Sequence, residues 1–349
     1  MTSNFRSMGG AIVEQVRAVQ AGSGAVAHLQ PFQPGADPRL LEGVLFVKPE
    51  ATDVAGGVAL DKVLDLVASA LERWKLEVGG VSVLGAEYLK QHDIIARHYG
   101  VINSISRNGE SALAEAARAR LQELFGAELA QGARVMGGHE FMAQYPEYTA
   151  AQLSQIADSG SFNKLGPGTY ATKHVHDGQT VILLNAFHPQ QIEHFTAPGR
   201  SIVVLAVRSA ADRPEAWKAL RNEMLGVTDP SQAAEGTLRR TFLERRGELG
   251  LGEVNRGTNV VHFSAGPLEG MVETARYFSD YAAGQVLSYG ATCFGRLMLA
   301  QGIDEEDVSW LASNPNLSLD GRQISAFDAT EETDPQPAIE TLKRGISAR

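Results

Sequence analysis

His262 and Glu273 are the residues whose types and spacing best support a chemical step. His262 follows Val260 and Val261, a short strand by composition, and Glu273 lies 11 positions later, inside a helix expected over 267–281. A histidine held at a rigid strand end, with a carboxylate to fix its tautomer, is the arrangement a nucleophilic imidazole needs. The start of the following helix offers backbone N–H groups to an incoming phosphate. Thr228, Arg239 and Asn259 precede the histidine and are donors suited to phosphate and hydroxyl groups. Lys48, at the end of an early strand, adds a second cation.

The composition narrows the partners. Acidic residues outnumber basic ones, 41 to 31, for a net charge of −10. Such a chain lacks the clustered Lys and Arg that nucleic-acid binding needs, but a few converging cations can still hold a small anion. The single cysteine, Cys293, permits no intramolecular disulfide and reads as a small buried residue. No leader-like segment opens the chain, and the longest apolar runs, such as 202–207, are strand-sized. The expected location is therefore the cytoplasm, with no membrane partner.

The 349 residues are enough for one large domain or two modest ones. Strands are expected over 43–49, 76–84, 180–184, 201–207 and 260–261. Helices are expected over 60–74, 87–98, 111–129, 149–157, 189–195, 214–225, 267–281 and 290–301. Pro214 suits a first helical turn. Residues 1–42 read as an extension with a flexible break at Ala21-Gly-Ser-Gly24, and the polar C-terminal end reads as partly disordered. Strands alternating with helices predict an α/β sandwich with a sheet covered by helices on one face, though periodicity gives no strand order. His174-Val-His176 with Asp177 has metal-like residue types, but spacing places no third ligand. The stretch 172–180 reads as an exposed polar turn.

Several blocks in order resemble the nucleoside diphosphate kinase family. Phe46-Val-Lys-Pro-Glu50 is similar to its first strand, His98-Tyr99 to its His-Tyr pair, and 186–204 to its nucleotide-clamping helices and third strand. Met224-Leu-Gly-Val-Thr-Asp-Pro230 and Glu235-Gly-Thr-Leu-Arg239 resemble two further motifs, and Thr258-Asn-Val-Val-His-Phe-Ser264 resembles the histidine motif. The resemblance covers 43–99 and 186–280. It implies a ferredoxin-like α+β sandwich with an antiparallel sheet. Residues 100–185 would be an insertion forming a lid or subdomain, with extensions at 1–42 and 281–349.

The resemblance also implies roles. His262 would take the γ-phosphate of ATP or another nucleoside triphosphate and pass it to a nucleoside diphosphate or related acceptor. Glu273 would orient the imidazole, supported by Ser264. Lys48, Tyr99, Thr228 and Arg239 would hold phosphates, with Arg221 beside them. Asn259 and Lys48 would meet the sugar, and Phe187, with Ile192 beneath it, would stack on the base. Magnesium would arrive with the nucleotide, and the subunits would form a homo-oligomer. The chain differs from the family at Phe263, Ala265, Asn222 and Glu235. Its insertion fits an altered acceptor in specialised metabolism, because ordinary nucleotide exchange, the other reading with the same His262 chemistry, needs no such insert. Phe263 beside the histidine fits a non-catalytic nucleotide binder.

Overall fold

The computed structural model describes all residues except Met1, Gly24, Ser161 and 210–215. Pro214, read as a helix start, and Gly24, the end of the expected break, lie outside the described residues. In chain order the strands are β1 (Val26–Gln30), β2 (Glu42–Val47), β3 (Leu76–Gly85), β4 (Arg134–Gly137), β5 (Asn163–Gly166), β6 (Thr169–His176), β7 (Gln179–Leu184), β8 (Ser201–Ser209), β9 (Val261–Phe263), β10 (Asn316–Leu319) and β11 (Arg322–Ser325). The fold is mixed, with antiparallel sheets and many helices. It divides into a unit of residues 1–88 with 198–349 and a unit of residues 89–197. The second unit starts before residue 100 and ends after residue 185, so it takes in His98, Tyr99, Phe187 and Ile192. Among the described residues no helix is long and apolar enough to cross a membrane.

In the first unit the sheet runs β1-β3-β8-β2-β9, every neighbouring pair antiparallel. β2 and β3 flank β8, and β8 and β9 flank β2, so two crossovers interleave. β2 and β8 are buried along their whole length, as central strands covered on both faces must be. One face packs Leu45, Val47, Val203, Leu205 and Phe263 against the helices Gly9–Gln20 and Leu60–Arg73. The helix Leu60–Arg73 forms because Leu60, Val63, Leu64, Val67 and Leu71 make one apolar stripe.

The opposite face is covered too, which corrects the expectation of helices on one face. The helix Pro267–Phe278 lies on β2 and brings Tyr277 to 5.6 Å from Phe46, ring to ring. Gly270 permits this approach, because a Cβ there would sit 2.8 Å from the Glu42 carbonyl oxygen. The N-terminal extension is ordered, with β1 on β3 and Ile12, Val16 and Val19 in the core. The C-terminal end is likewise built rather than disordered. The helices Cys293–Ala300, Glu305–Ala312 and Pro335–Ser347 and the β10–β11 hairpin enclose a cluster that includes Leu268, Met271 and Val272 of the helix Pro267–Phe278.

The second unit has its own sheet, β4-β7-β6-β5, with only the β4–β7 pair parallel. Along β7, Ile182 and Leu184 face a cluster with Leu121 and Phe125, while Val181 and Leu183 face Phe141 and Leu153. This period-two division gives the unit a core on each side of its sheet. The stretch read as an exposed polar turn, 172–180, is instead the end of β6, a tight turn and the start of β7.

The packed tail makes a direct prediction. Leu342 in the helix Pro335–Ser347 is fully buried. Leu342→Ala should lower the unfolding free energy by about 2–5 kcal/mol, read from urea titration. An unchanged midpoint would show that the tail is not part of the cooperative unit.

Candidate functional site

The β2–β9 ladder sets the site in the first unit. Phe46 pairs with His262 and Val47 with Val261. His262 and Phe46 point to one face and stack with centroids 4.5 Å apart at 19°. Phe263 points to the other face, where it is fully buried and stacks on Trp217 at 5.7 Å. Strand alternation therefore removes its bulk from the imidazole.

From the helix Pro267–Phe278, Glu273 meets His262 Nε2 at 2.9 and 3.0 Å through its two oxygens. Its side chain is 1% exposed. The Ser264 hydroxyl donates a short bond to the same carboxylate and accepts from the Val44 N–H at 2.9 Å. With Nε2–H donated to Glu273, the ring lone pair lies on Nδ1. This tautomer follows from the hydrogen-bond geometry.

Lys48 continues β2 with the same parity as Phe46. Its Nζ donates to Asn259 Oδ1 at 2.7 Å, and Asn259 Nδ2 donates to the Thr228 carbonyl at 2.9 Å. Thr228 itself is exposed. Arg239, buried on the helix Leu238–Glu244, donates to the carbonyls of Gly226 at 2.8 Å and Val261 at 3.2 Å. Burial pulls the Lys48 ammonium down to about 8, and the Arg239 charge pulls the same way. The backbone between these groups is strained. Val260 has φ +70°, a conformation that a β-branched residue resists. It is clamped by its N–H to Glu50 Oε1 at 2.9 Å and by the Lys48 N–H to its carbonyl at 2.8 Å.

The structure thus brings together Lys48, Thr228, Arg239, Asn259, His262, Ser264 and Glu273. Arg221 is engaged elsewhere, with the Phe263 carbonyl at 3.2 Å and with Glu331 at 3.1 Å. Tyr99, Phe187 and Ile192 belong to the second unit. There Tyr99 stands edge-on to His188 at 6.1 Å, Phe187 lies 5.8 Å from the Tyr170 ring, and Ile192 sits on the helix His188–Thr196.

Sequence reasoning passed over three residues. Phe46 supplies the stacking floor and Glu50 the clamp on Val260. Glu269, one turn before Glu273, accepts from the Ala265 N–H at 3.1 Å. It keeps an exposed edge, yet burial of its carboxyl and the charge of Glu273 push it up to about 8. The i,i+4 spacing of the two glutamates was the available signal. No family model, no curated protein and no solved structure matches the chain.

The Lys48 environment predicts a pH effect. Its proton leaves near pH 8 in the folded chain and near 10.5 in the unfolded one. The unfolded state therefore binds more protons between these values, and this contribution to stability rises with pH. Urea unfolding at pH 8 and pH 10 should show that rise, and Lys48→Met should reduce it. Equal pH dependence in the two proteins would contradict the assigned environment.

Proposed function

We propose that the chain is a phosphotransferase that carries the γ-phosphate of a nucleoside triphosphate on His262. The observation that carries this reading is the clamp on the imidazole. A buried carboxylate holds Nε2, an aromatic ring backs the plane, and the nucleophilic lone pair lies on Nδ1. Two cations, Lys48 and Arg239, are anchored to the adjoining strands, where they can neutralise charge on a transferring phosphoryl group. The order β3-β8-β2-β9 with interleaved crossovers is the order expected of a ferredoxin-like sheet, and in that respect supports the resemblance to nucleoside diphosphate kinases.

In the first half-reaction, Nδ1 attacks the γ-phosphorus. The bond from phosphorus to the β–γ bridging oxygen breaks, and its electron pair leaves with the nucleoside diphosphate. Glu273 stabilises the positive charge that develops on the ring. In the second half-reaction, an oxygen of the acceptor attacks the phosphorus, the N–P bond breaks and neutral His262 returns. The acceptor is a nucleoside diphosphate or a related phosphate-bearing molecule. The carboxylate nearest the histidine, Glu273, is taken up by His262 and Ser264, and Lys48, Arg239 and Asn259 are donors suited to phosphate oxygens. Magnesium would arrive with the nucleotide, where it would screen phosphate charge.

Incubation with γ-labelled ATP and magnesium should leave an acid-labile, base-stable label on the chain. The label should be absent in His262→Ala, and Glu273→Gln should slow its formation by roughly 10²- to 10⁴-fold. A folded, nucleotide-binding chain that takes no label would overturn the reading.

A further inference from the structure

The end of β6 inverts the usual strand pattern. Val175 is 57% exposed, while His174 and His176 turn inward against Phe141 and Tyr148, with Tyr145 also against His176. A strand packed for stability alone places its apolar residue inside and its polar ones outside. The inward side chains converge. The Tyr148 hydroxyl lies 3.3 Å from His174 Nε2 and 3.1 Å from His176 Nδ1. A phenol has one proton, so it donates to only one of the two rings and the other must donate to it.

Rigid elements place all three groups. Asp177 and Gly178, with φ of +47° and +79°, form the two-residue turn between β6 and β7. That turn pins His174 opposite Val181 and His176 opposite Gln179. Tyr148 immediately precedes Thr149, whose capping box with Gln152 fixes the start of the helix Ala150–Ser159. His176 presents Nε2 to Asp177 at 3.7 Å and Glu147 at 4.0 Å. Metal-bound histidines commonly have such carboxylates behind them.

The distances from the Tyr148 oxygen to the two nitrogens, 3.3 and 3.1 Å, match coordination as well as hydrogen bonding. Bonds of about 2.0–2.1 Å to a tetrahedral ion place neighbouring donor atoms about 3.3 Å apart. We propose that His174 Nε2, His176 Nδ1 and the Tyr148 oxygen bind one divalent ion of the zinc type, with a fourth position left for water or another ligand. Two imidazoles and a phenol oxygen suit zinc(II) or copper(II) better than magnesium or calcium, which take oxygen ligands. On binding, each ring keeps its proton on the nitrogen away from the ion, and the phenol proton leaves to solvent. For His176 the retained proton faces the two carboxylates. The sequence motif lacked a third ligand by spacing; the fold supplies it from the segment before a helix.

Equilibrium dialysis of the full chain against zinc(II), with bound metal measured by elemental analysis, tests this site. One equivalent should bind. His174→Gln and Tyr148→Phe should each weaken binding by at least about tenfold, while His262→Ala leaves it unchanged. Thermal unfolding of each variant is recorded alongside. Tyr148→Phe keeps the ring packing and removes only the oxygen, so it decides the matter if His174→Gln fails to fold. The proposal is overturned if no zinc is held, if binding survives Tyr148→Phe, or if binding is lost only in His262→Ala.

Discussion

The first unit is organised around one carboxylate that has lost its water. Glu273 is buried on the helix Pro267–Phe278, and an unpaired charge there would be very costly. It is satisfied from two directions, by the His262 ring and by the Ser264 hydroxyl, and Ser264 is tied in turn to the backbone of β2. The helix, β9 and β2 are therefore locked in one register. Rotating the helix by one residue, about 100°, would strand the charge. Gly270 gives the helix the closeness this pairing needs. Apolar packing brings the layers together, and the buried pair selects among the ways they could meet.

Around that pair the site is already assembled. Lys48 and Arg239 are held by an amide and by backbone carbonyls, which fix where their positive charges sit. The cost appears in the lowered affinity of Lys48 for its proton. A further cost, on the order of 1–3 kcal/mol, is the left-handed backbone at Val260. A phosphate bound as proposed would make Lys48 hold its proton more firmly and would meet the strand end in the shape it already has.

Much of this could be read from the residues. β2 and β8 announced themselves as apolar runs and β3 by its alternation, and the separation of His262 from Glu273 placed one on a strand and the other on the next helix. The direction of Phe263 also follows from strand parity. Other features were hidden for physical reasons. β1 is half-buried throughout, so it shows neither an apolar run nor a clean alternation. The helix Pro335–Ser347 begins with prolines, which resemble a break in sequence but fit a first helical turn at no cost in hydrogen bonds. Arg221 finds Glu331 across 110 positions, a distance over which local pattern says nothing. β6 looked like a polar turn because its histidines face inward and its valine faces out.

The packing of residues 289–347 onto the outer side of the helix that carries Glu273 has a consequence for how the molecule comes into being. Every residue placed around His262 is synthesised before this segment. Until the helix Pro335–Ser347 is in place, Leu268, Met271 and Val272 lack part of their covering layer, and the helix that presents Glu273 lacks part of its support. A nascent chain would thus hold all its chemical groups before it holds them in place. Residues 289–347 add no group to the surroundings of His262, yet a chain altered within them would keep every one of those groups while baring Leu268, Met271 and Val272.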